Sequence, residues 1–316
     1  MSARSAMSLV FRREDIGSIV VPINEALATE TLGRLGPRFD VVAEYLKVIP
    51  ARFAIRYFGF SDAVDPDWLL KTTQTLFEYL FIDIENDPLL AQRAELAAKE
   101  LRDMLEREIK SGGNVASHDS VLGRALKLSA TGHPAFSSRS IRNDFIGLLI
   151  GLAPTTAKAA AMALDFLTQD PAKAETTMRS ARGSFPAFQA LVREATRLNP
   201  INPGLFRKAR HDSIILSDNH SIMVAKDTLI FLGTSSGMRD PQHVPEPMEI
   251  NLGRPESAYL TYGHGLHECF GRYINDLHIA LILRTLLAKG APKRANGVDG
   301  DLTFDGPFPR RFIFER

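Results

Sequence analysis

The chain has one cysteine, no excess charge of either sign and no long hydrophobic run. With a single cysteine in 316 residues no internal disulfide can form, and such a chain fits a reducing compartment. Its 38 Lys and Arg balance 37 Asp and Glu, so the net charge of +1 attracts neither nucleic acid nor an anionic membrane. The longest apolar stretch, residues 145–153, is well under the roughly 20 residues that cross a hydrocarbon core, and the first residues contain no secretory signal. We therefore expect a cytoplasmic protein with no nucleic-acid or membrane partner, in which Cys269 is either inert in the core or used chemically.

Most of the first 200 residues carry the 3.6-residue apolar period of amphipathic helices, and 45% of all residues are apolar, enough to fill a sizeable core. The central element of this half is a long apolar helix that begins at a capping serine, Ser138. The predicted fold class is mainly α with a small β region, in one domain over residues 1–316. The predicted helices are 16–32, 41–59, 68–81, 89–110, one capped by Ser117 and ending near 128, 138–168, 172–182, 185–198 and 269–290.

The sequence becomes β-rich from residue 205 onward. Short strands are predicted at 213–216, 221–224 and 228–232, and again near 302–304 and 312–314 in a turn-rich tail. Residues 233–261 hold four prolines and little periodicity, and an ordered loop of this length usually serves a site. This loop leads directly into the cysteine segment.

Residues 262–271 read Tyr-Gly-His-Gly-Leu-His-Glu-Cys-Phe-Gly and surround Cys269 with glycines at the start of a helix. Glycines allow the backbone to approach a flat ligand, and N–H groups near a helix N-terminus stabilise a thiolate. A thiolate held in this way can bind iron. An isolated cysteine beside a glycine-rich turn is also compatible with a buried structural role.

This segment resembles the haem-binding loop of the cytochrome P450 family. The family pattern is an aromatic residue, Gly, any, Gly, any, a basic residue, any, Cys, any, Gly, and only Tyr262 departs from the usual Phe. The resemblance implies a cytochrome P450 fold that holds haem b, with Cys269 as the iron ligand and His267 near a propionate. The loop residues implied to contact haem are Gly263, Gly265, His267, Cys269 and Gly271.

Other segments resemble the family in the same order along the chain. Glu194 and Arg197 match its Glu-x-x-Arg pair, which at i and i+3 shares one helix face and braces the loop under haem. Arg207 matches an arginine that binds a propionate, a charge-assisted pairing suited to a guanidinium. In the family a further arginine joins the pair; Arg254 lies in the corresponding loop, but Glu249 stands where this arginine is expected, so the triad is left open.

Residues 151–156, Gly-Leu-Ala-Pro-Thr-Thr, resemble the oxygen-activating part of the family's central helix. Pro154 stands where the family has an acidic residue, so the carboxylate relay is absent, and a kink is expected because proline removes a backbone donor. The resemblance assigns Thr155 and Thr156 to catalysis, whereas hydrogen bonds to helix carbonyls are the alternative. Asp144, about two turns before Gly151, is a candidate relay acid or a charge at the start of the helix.

The resemblance covers all 316 residues but begins inside the family fold. A family arginine that meets a propionate precedes a Phe by about seven positions, and Arg4 and Phe11 have this spacing. The resemblance therefore implies that Arg4 binds haem and that this shortened, bacterial-type member lacks the N-terminal strands and first helices. We expect unpaired edges on the strands between residues 213 and 232, reduced stability, and either oligomers or a complementing chain.

Three functions are compatible with these residues. The family default is monooxygenation of a lipophilic small molecule with electrons from a reductase or ferredoxin, favoured by the electron donation of a thiolate. The second is reductase-independent hydroperoxide isomerisation or peroxygenation, which Pro154 favours because it needs no acid relay. The third is a non-catalytic haem-binding protein descended from the enzyme.

Overall fold

A computed structural model describes residues 3–114, 119–217 and 220–316. The helical half agrees closely with the predicted periods, although the predicted cap Ser117 lies outside the described residues. The α-helices are α1 (Ala3–Met7), α2 (Val21–Arg34), α3 (Val48–Phe58), α4 (Pro66–Phe81), α5 (Pro88–Ser111), α6 (Val121–Ala130), α7 (Ser138–Leu167), α8 (Pro171–Arg182), α9 (Phe185–Leu198), α10 (Thr234–Gly237) and α11 (Arg272–Thr285).

Capping side chains fix where several of these helices begin. Asp65, Asp87 and Asp170 each accept a hydrogen bond from a backbone N–H of the first turn, and each precedes a proline that suits the first helical position. The cap of α7 is Ser137, whose hydroxyl accepts from the N–H of Ser140, so the prediction of Ser138 was wrong by one residue. The side chain of Ser138 is one position too late to reach that donor.

The described strands form one three-stranded sheet and three two-stranded ones. In the first, β9 lies between β1 and β6; in the others β2 pairs with β5, β3 with β4, and β7 with β8, all antiparallel. The strands are β1 (Arg38–Asp40), β2 (Leu205–Lys208), β3 (Ser213–Ser217), β4 (His220–Val224), β5 (Leu229–Leu232), β6 (Lys293–Arg294), β7 (Thr303–Asp305), β8 (Phe308–Arg311) and β9 (Ile313–Glu315).

The core is organised around α7, which packs against α3, α4, α5, α9 and α11. By length and composition an apolar segment of α7 could cross a membrane, but 67% of that segment is buried inside the fold, as in the core helix of a globular domain. The helix continues through Pro154 without interruption. Its central position places the residues around Pro154 against α11, the helix that follows Cys269.

The two hairpins β2–β5 and β3–β4 are much less covered than the helices. Apolar side chains on successive positions of β3, such as Ile214, Ile215 and Leu216, are all exposed. Because successive strand residues point to opposite faces, both faces of this hairpin are open within the described chain. Each hairpin also has unpaired outer edges among the described residues, as expected from the sequence.

Candidate active site

The segment around Cys269 forms an extended loop before α11. The N–H of Cys269 donates to the carbonyl of Tyr262 at 2.8 Å, which closes the loop into a compact turn. Helix α11 begins at Arg272, three residues later than predicted. The N–H of Arg272 donates to the Cys269 carbonyl at 3.3 Å, and the N–H groups of Gly271 and Arg272 lie close enough to the thiol to lower its pKa. The cysteine therefore lies beside backbone donors suited to a thiolate.

The thiol of Cys269 is exposed on one side and surrounded by protein on the others. Burial raises the pKa of the Cys269 thiol, although the two backbone donors and the charge of Arg4 oppose this rise. The free thiol is consequently protonated at neutral pH, and a metal that binds the thiolate displaces this proton.

Three glycines, two in the cysteine loop and one on α7, leave open space beside their backbone. A Cβ added at Gly151, Gly265 or Gly271 would meet no atom within 4 Å, so a flat ligand could approach the backbone at each. Gly263 and Gly265 also have positive φ angles of 72° and 67°, which side-chain-bearing residues rarely adopt. Leu266, which is 93% exposed, adds an apolar surface to this side of the loop.

Glu194 and Arg197 form the predicted pair and both are completely buried. The Arg197 guanidinium donates through Nε and Nη2 to the two carboxylate oxygens of Glu194, each at 2.9 Å. Its remaining donors reach the carbonyls of Met238, Pro247 and Glu249. The pair therefore ties α9 to the long loop that precedes the cysteine segment.

Arg254 is the third member of a brace formed by Glu194, Arg197 and Arg254. Its Nε donates to Glu194 at 3.0 Å, while Glu249 contributes only its backbone carbonyl, so the ambiguity between these two positions is resolved. The hydroxyl of Tyr259 also donates to Glu194, at 2.9 Å. Burial alone would raise the pKa of the Glu194 carboxyl, but hydrogen bonds from Arg197, Asn251, Arg254 and Tyr259 outweigh burial and lower it.

Thr155 and Thr156 have different surroundings on α7. Thr155 is partly exposed, and its hydroxyl donates to the carbonyls of Gly151 and Leu152. Thr156 is fully buried and donates to Asn275 Oδ1 of α11 at 2.8 Å, and its catalytic role stays a prediction. Adjacent helix residues point about 100° apart, so the two side chains face different directions. Thr156 links α7 to α11.

Arg4, Arg207 and His267 were the predicted propionate ligands. Arg4 reaches the loop, where its Nη1 donates to the Glu268 carbonyl at 2.7 Å and its guanidinium lies 5.5 Å from the Phe270 ring. Arg207 lies on β2, exposed, and donates only to the carbonyl of Phe206. His267 is exposed beside Cys269. Their roles toward a propionate stay predictions.

Tyr262 is held at both ends. Its carbonyl accepts from Cys269, while its phenol lies beside the carboxylate of Asp276 on α11. Burial and then the nearby charge of Asp276 raise the pKa of the Tyr262 phenol. Tyr262 takes the place of the phenylalanine usual in the resembling family, and its phenol adds a contact between the cysteine loop and the following helix.

Sequence reasoning missed three participants in this site: Tyr259, Asn275 and Asp276. Each acts through a side-chain contact with a residue distant along the chain, and only Tyr259 lies in a segment already suspected of serving the site. Phe11 was noted only for its spacing from Arg4, yet its ring packs 5.4 Å from that of Phe270, beside the cysteine.

Comparison with known proteins identifies the family that shares these motifs. The sequence model of the family described as Cytochrome P450 matches residues 69–290, more than two thirds of the chain. The chain belongs to the cytochrome P450 family. Family members use a thiolate-bound haem, and the sequence-based assignment to this family and fold is confirmed.

Three individual relatives are each less than 30% identical to this chain. The chain is 29% identical to a bifunctional dioxygenase–epoxy alcohol synthase of Pyricularia oryzae, covering 83% of this chain and 25% of that protein. It is 24% identical to the cyclomarin C epoxidase CymV of Salinispora arenicola, covering 96% of this chain and 74% of the epoxidase. The structure of ligand-free CYP164A2 from Mycobacterium smegmatis matches with a TM-score of 0.83 at 19% identity, covering 99% of this chain and 78% of that one. This last likeness shows the fold.

The residues present fit the haem that the family implies. Cys269 offers one exposed thiol beside the backbone N–H groups of Gly271 and Arg272, and a flat ring could approach the backbone at Gly265 and Gly271, where an added Cβ would meet no atom within 4 Å. The buried Glu194 brace fixes the loop that leads to the cysteine. We therefore identify Cys269 as the residue that would hold the iron.

Proposed function

We propose that this P450 binds haem b through Cys269 and oxidises a lipophilic small molecule by monooxygenation. The observation that carries the proposal is the exposed thiol of Cys269 beside the backbone N–H groups of Gly271 and Arg272, in a loop anchored by a fully buried Glu–Arg pair. When bound, haem supplies a thiolate-ligated iron that activates oxygen. The protein would act as a single domain in the cytoplasm.

The chain's own residues would orient the cofactor and the oxygen side. Arg4, Arg207 and His267 would hold the propionates, while the Glu194–Arg197–Arg254 brace would keep the cysteine loop in place. Thr155 would present its hydroxyl to water on the oxygen side, since the same hydroxyl is already oriented by the Gly151 carbonyl. The apolar surface of α7 and the exposed Leu266 support a lipophilic substrate.

The electron donor we propose is a reductase or ferredoxin. A groove of about 700 Å³ lies between the chain start and the first turn of α11, with Arg4, Arg13 and Arg272 in its wall and Cys269 at its floor. Glu14, Glu268 and Asp276 balance these arginines in the same groove, so its charge favours no particular donor and the proposal of a reductase or ferredoxin rests on the monooxygenase chemistry of the family.

A second function is favoured by Pro154. With proline in place of the relay acid, a hydroperoxide could serve as oxidant or be rearranged without electrons from a reductase. The relative named a dioxygenase–epoxy alcohol synthase is in line with this chemistry, although the present chain spans only a quarter of that protein.

The two functions are separated by the choice of oxidant. Haem-reconstituted protein is incubated with a panel of lipophilic substrates, either with ferredoxin, ferredoxin reductase and NADPH or with an organic hydroperoxide alone. Oxygenated product that requires the electron donors supports monooxygenation, whereas equal product from hydroperoxide alone supports the second function. Cys269→Ser is the control, and product formation undiminished in this variant contradicts both.

A further inference from the structure

Helix α7 carries one mostly buried lysine, Lys158, whose amine has no partner among the described residues. Lys158 of α7 is only 7% exposed, and within residues 3–114, 119–217 and 220–316 it makes no hydrogen bond, ion pair or ring contact, although its amine is not among the fully enclosed unpaired atoms and therefore reaches solvent. Other buried cations are paired: Arg124 with Asp15, and Arg197 with Glu194. Because an unpaired and mostly buried charge is expensive, Lys158 is a residue that the fold alone does not explain.

Lys158 lies one turn beyond the residues expected to face oxygen. At about 100° per residue, Lys158 is within roughly 60° of both Gly151 and Thr155 around the helix, so the three share one stripe. Gly151 is exposed and Thr155 partly exposed, which shows that this stripe faces the open side of α7. Helical side chains lean toward the N-terminus, and Lys158 therefore extends back over the turn of Pro154 and Thr155.

The proton affinity of Lys158 suits proton transfer. Burial lowers the pKa of the Lys158 amine, and no charged side chain contributes to this shift. An amine with a lowered pKa gives up its proton more readily than an ordinary lysine. Asp144, the other candidate on this helix, lies about 16 Å from Thr155 along the helix axis, whereas Lys158 lies about 4.5 Å away along it.

We propose that Lys158 takes the place of the missing relay carboxylate and supplies protons, through water, to the oxygen side of the site beside Thr155. The inference rests on the proposed function, because it needs an oxygen-activating site at Cys269. It assigns the chain a general acid that differs in type and position from the acidic residue whose place Pro154 occupies.

An organic hydroperoxide is the simplest oxidant for this step. On binding, the hydroperoxide loses its proton to solvent. Its O–O bond then breaks heterolytically, both bonding electrons leave with the alkoxide oxygen, and a proton from Lys158 Nζ converts this alkoxide to the alcohol. The other oxygen is inserted into a C–H bond of the substrate, which is oxidised by two electrons as the hydroperoxide is reduced by two. Solvent returns the proton to the Lys158 amine.

Cumene hydroperoxide reports directly on this proton. Heterolysis yields cumyl alcohol, whereas homolysis yields an alkoxyl radical that fragments to acetophenone. The ratio of the two products is measured for haem-reconstituted wild type, Lys158→Met, Lys158→Arg and the exposed-lysine control Lys99→Met. Thermal unfolding of the haem-free chains is recorded in parallel, because it does not depend on turnover.

We expect Lys158→Met to lower the alcohol-to-ketone ratio about tenfold or more, since a positioned general acid typically contributes at least that much. Lys158→Arg should lower it similarly, because a guanidinium keeps its proton. Lys158→Met should also raise the unfolding temperature of the haem-free chain, because it removes an unpaired, mostly buried amine. Lys99→Met should change neither quantity.

Four results would overturn the inference. An unchanged product ratio in Lys158→Met removes the proton-supplying role, and a wild-type ratio in Lys158→Arg shows that charge alone is needed, as for anchoring an anionic substrate. A lower unfolding temperature in Lys158→Met shows that the amine is structural. Failure of the wild type to take up haem or to cleave hydroperoxide overturns the proposed function together with this inference.

Discussion

The Glu194 brace and the β2–β5 and β3–β4 hairpins lie close together in sequence but are stabilised in opposite ways. In the brace, Glu194 and Arg197 are fully buried and their charges are met by several hydrogen bonds. In the hairpins, apolar side chains such as Leu216, 79% exposed, face outward. The cysteine loop is therefore anchored by contacts within the described chain, whereas the two hairpins present exposed apolar surface suited to a further contact.

The largest expected effect comes from breaking the brace. Arg197→Ala leaves the Glu194 carboxylate buried without its bidentate partner, and we expect a loss of about 3–5 kcal/mol in the free energy of unfolding. Urea denaturation of the haem-free chain measures this loss. The control is Arg179→Ala, which breaks an exposed i,i+4 pair with Glu175 and should change stability by about 0.5 kcal/mol or less. Equal effects of the two variants would contradict the contrast between buried and exposed regions.

A second test concerns how a buried histidine, His278, changes the stability of the chain at acid pH. His278 of α11 is fully buried against Phe53, its ring nitrogens have no hydrogen-bond partner among the described residues, and burial lowers its pKa to about 3. Between pH about 6.5 and about 3 the unfolded chain therefore binds a proton that the folded chain does not. Stability from this group is full above that window and is lost as pH falls through it.

His278→Leu should remove this contribution. We expect the wild-type free energy of unfolding to fall more steeply than that of the variant, by up to about 1.4 kcal/mol per pH unit within the window. Denaturation curves recorded from pH 7 to pH 4 give the difference. Parallel pH dependences of the two proteins would show that His278 has proton-binding partners in the folded state.

The contact between Tyr262 and Asp276 predicts a smaller effect on stability than the loss of Arg197. Tyr262→Phe removes the phenol that lies beside the Asp276 carboxylate, a contact worth up to about 1 kcal/mol, and should loosen the loop around the Cys269 thiol. Because Cys269 is the chain's single cysteine, a thiol reagent reports on this loop alone. We expect the haem-free variant to react severalfold faster than wild type, while Tyr79→Phe on exposed α4 reacts at the wild-type rate. No difference between the two variants would remove the role assigned to the hydroxyl.

The smallest effect on stability is expected in the hairpins. Replacing Ile214 and Leu216 by lysine changes exposed positions, so the free energy of unfolding should change by about 0.5 kcal/mol or less. The same substitutions should reduce self-association, because charged edges oppose strand pairing between chains. Sedimentation velocity measures the fraction of monomer. An unchanged fraction would show that this surface does not drive association.

The helical half of the fold was predictable because periodicity is a local signal. The bounds of α9 agree with the prediction, and those of α4 and α5 differ from it by only one or two residues. The three-residue strand β1 was missed, because its pairing with β9 joins segments more than 270 residues apart and three residues carry no period.

The site was predictable where a motif fixes the spacing. Cys269 and the Glu194–Arg197 pair followed from such motifs, whereas Arg254 could not be separated from Glu249 because an irregular loop positions both. The link from Thr156 to Asn275 was hidden for another reason: it depends on how α7 and α11 pack, and no local pattern encodes the facing residues of two distant helices.

Cys269 is proposed to bind haem iron as a thiolate. The absorption spectrum reports directly on this ligation. Purified chain is reconstituted with haem and scanned oxidised, then reduced under carbon monoxide, beside Cys269→Ser. We predict that the wild type shows the long-wavelength Soret band peculiar to thiolate ligation and that the serine variant lacks it with unchanged helix content. The same thiolate-type band in Cys269→Ser, or a wild type that takes up no haem, would contradict the account.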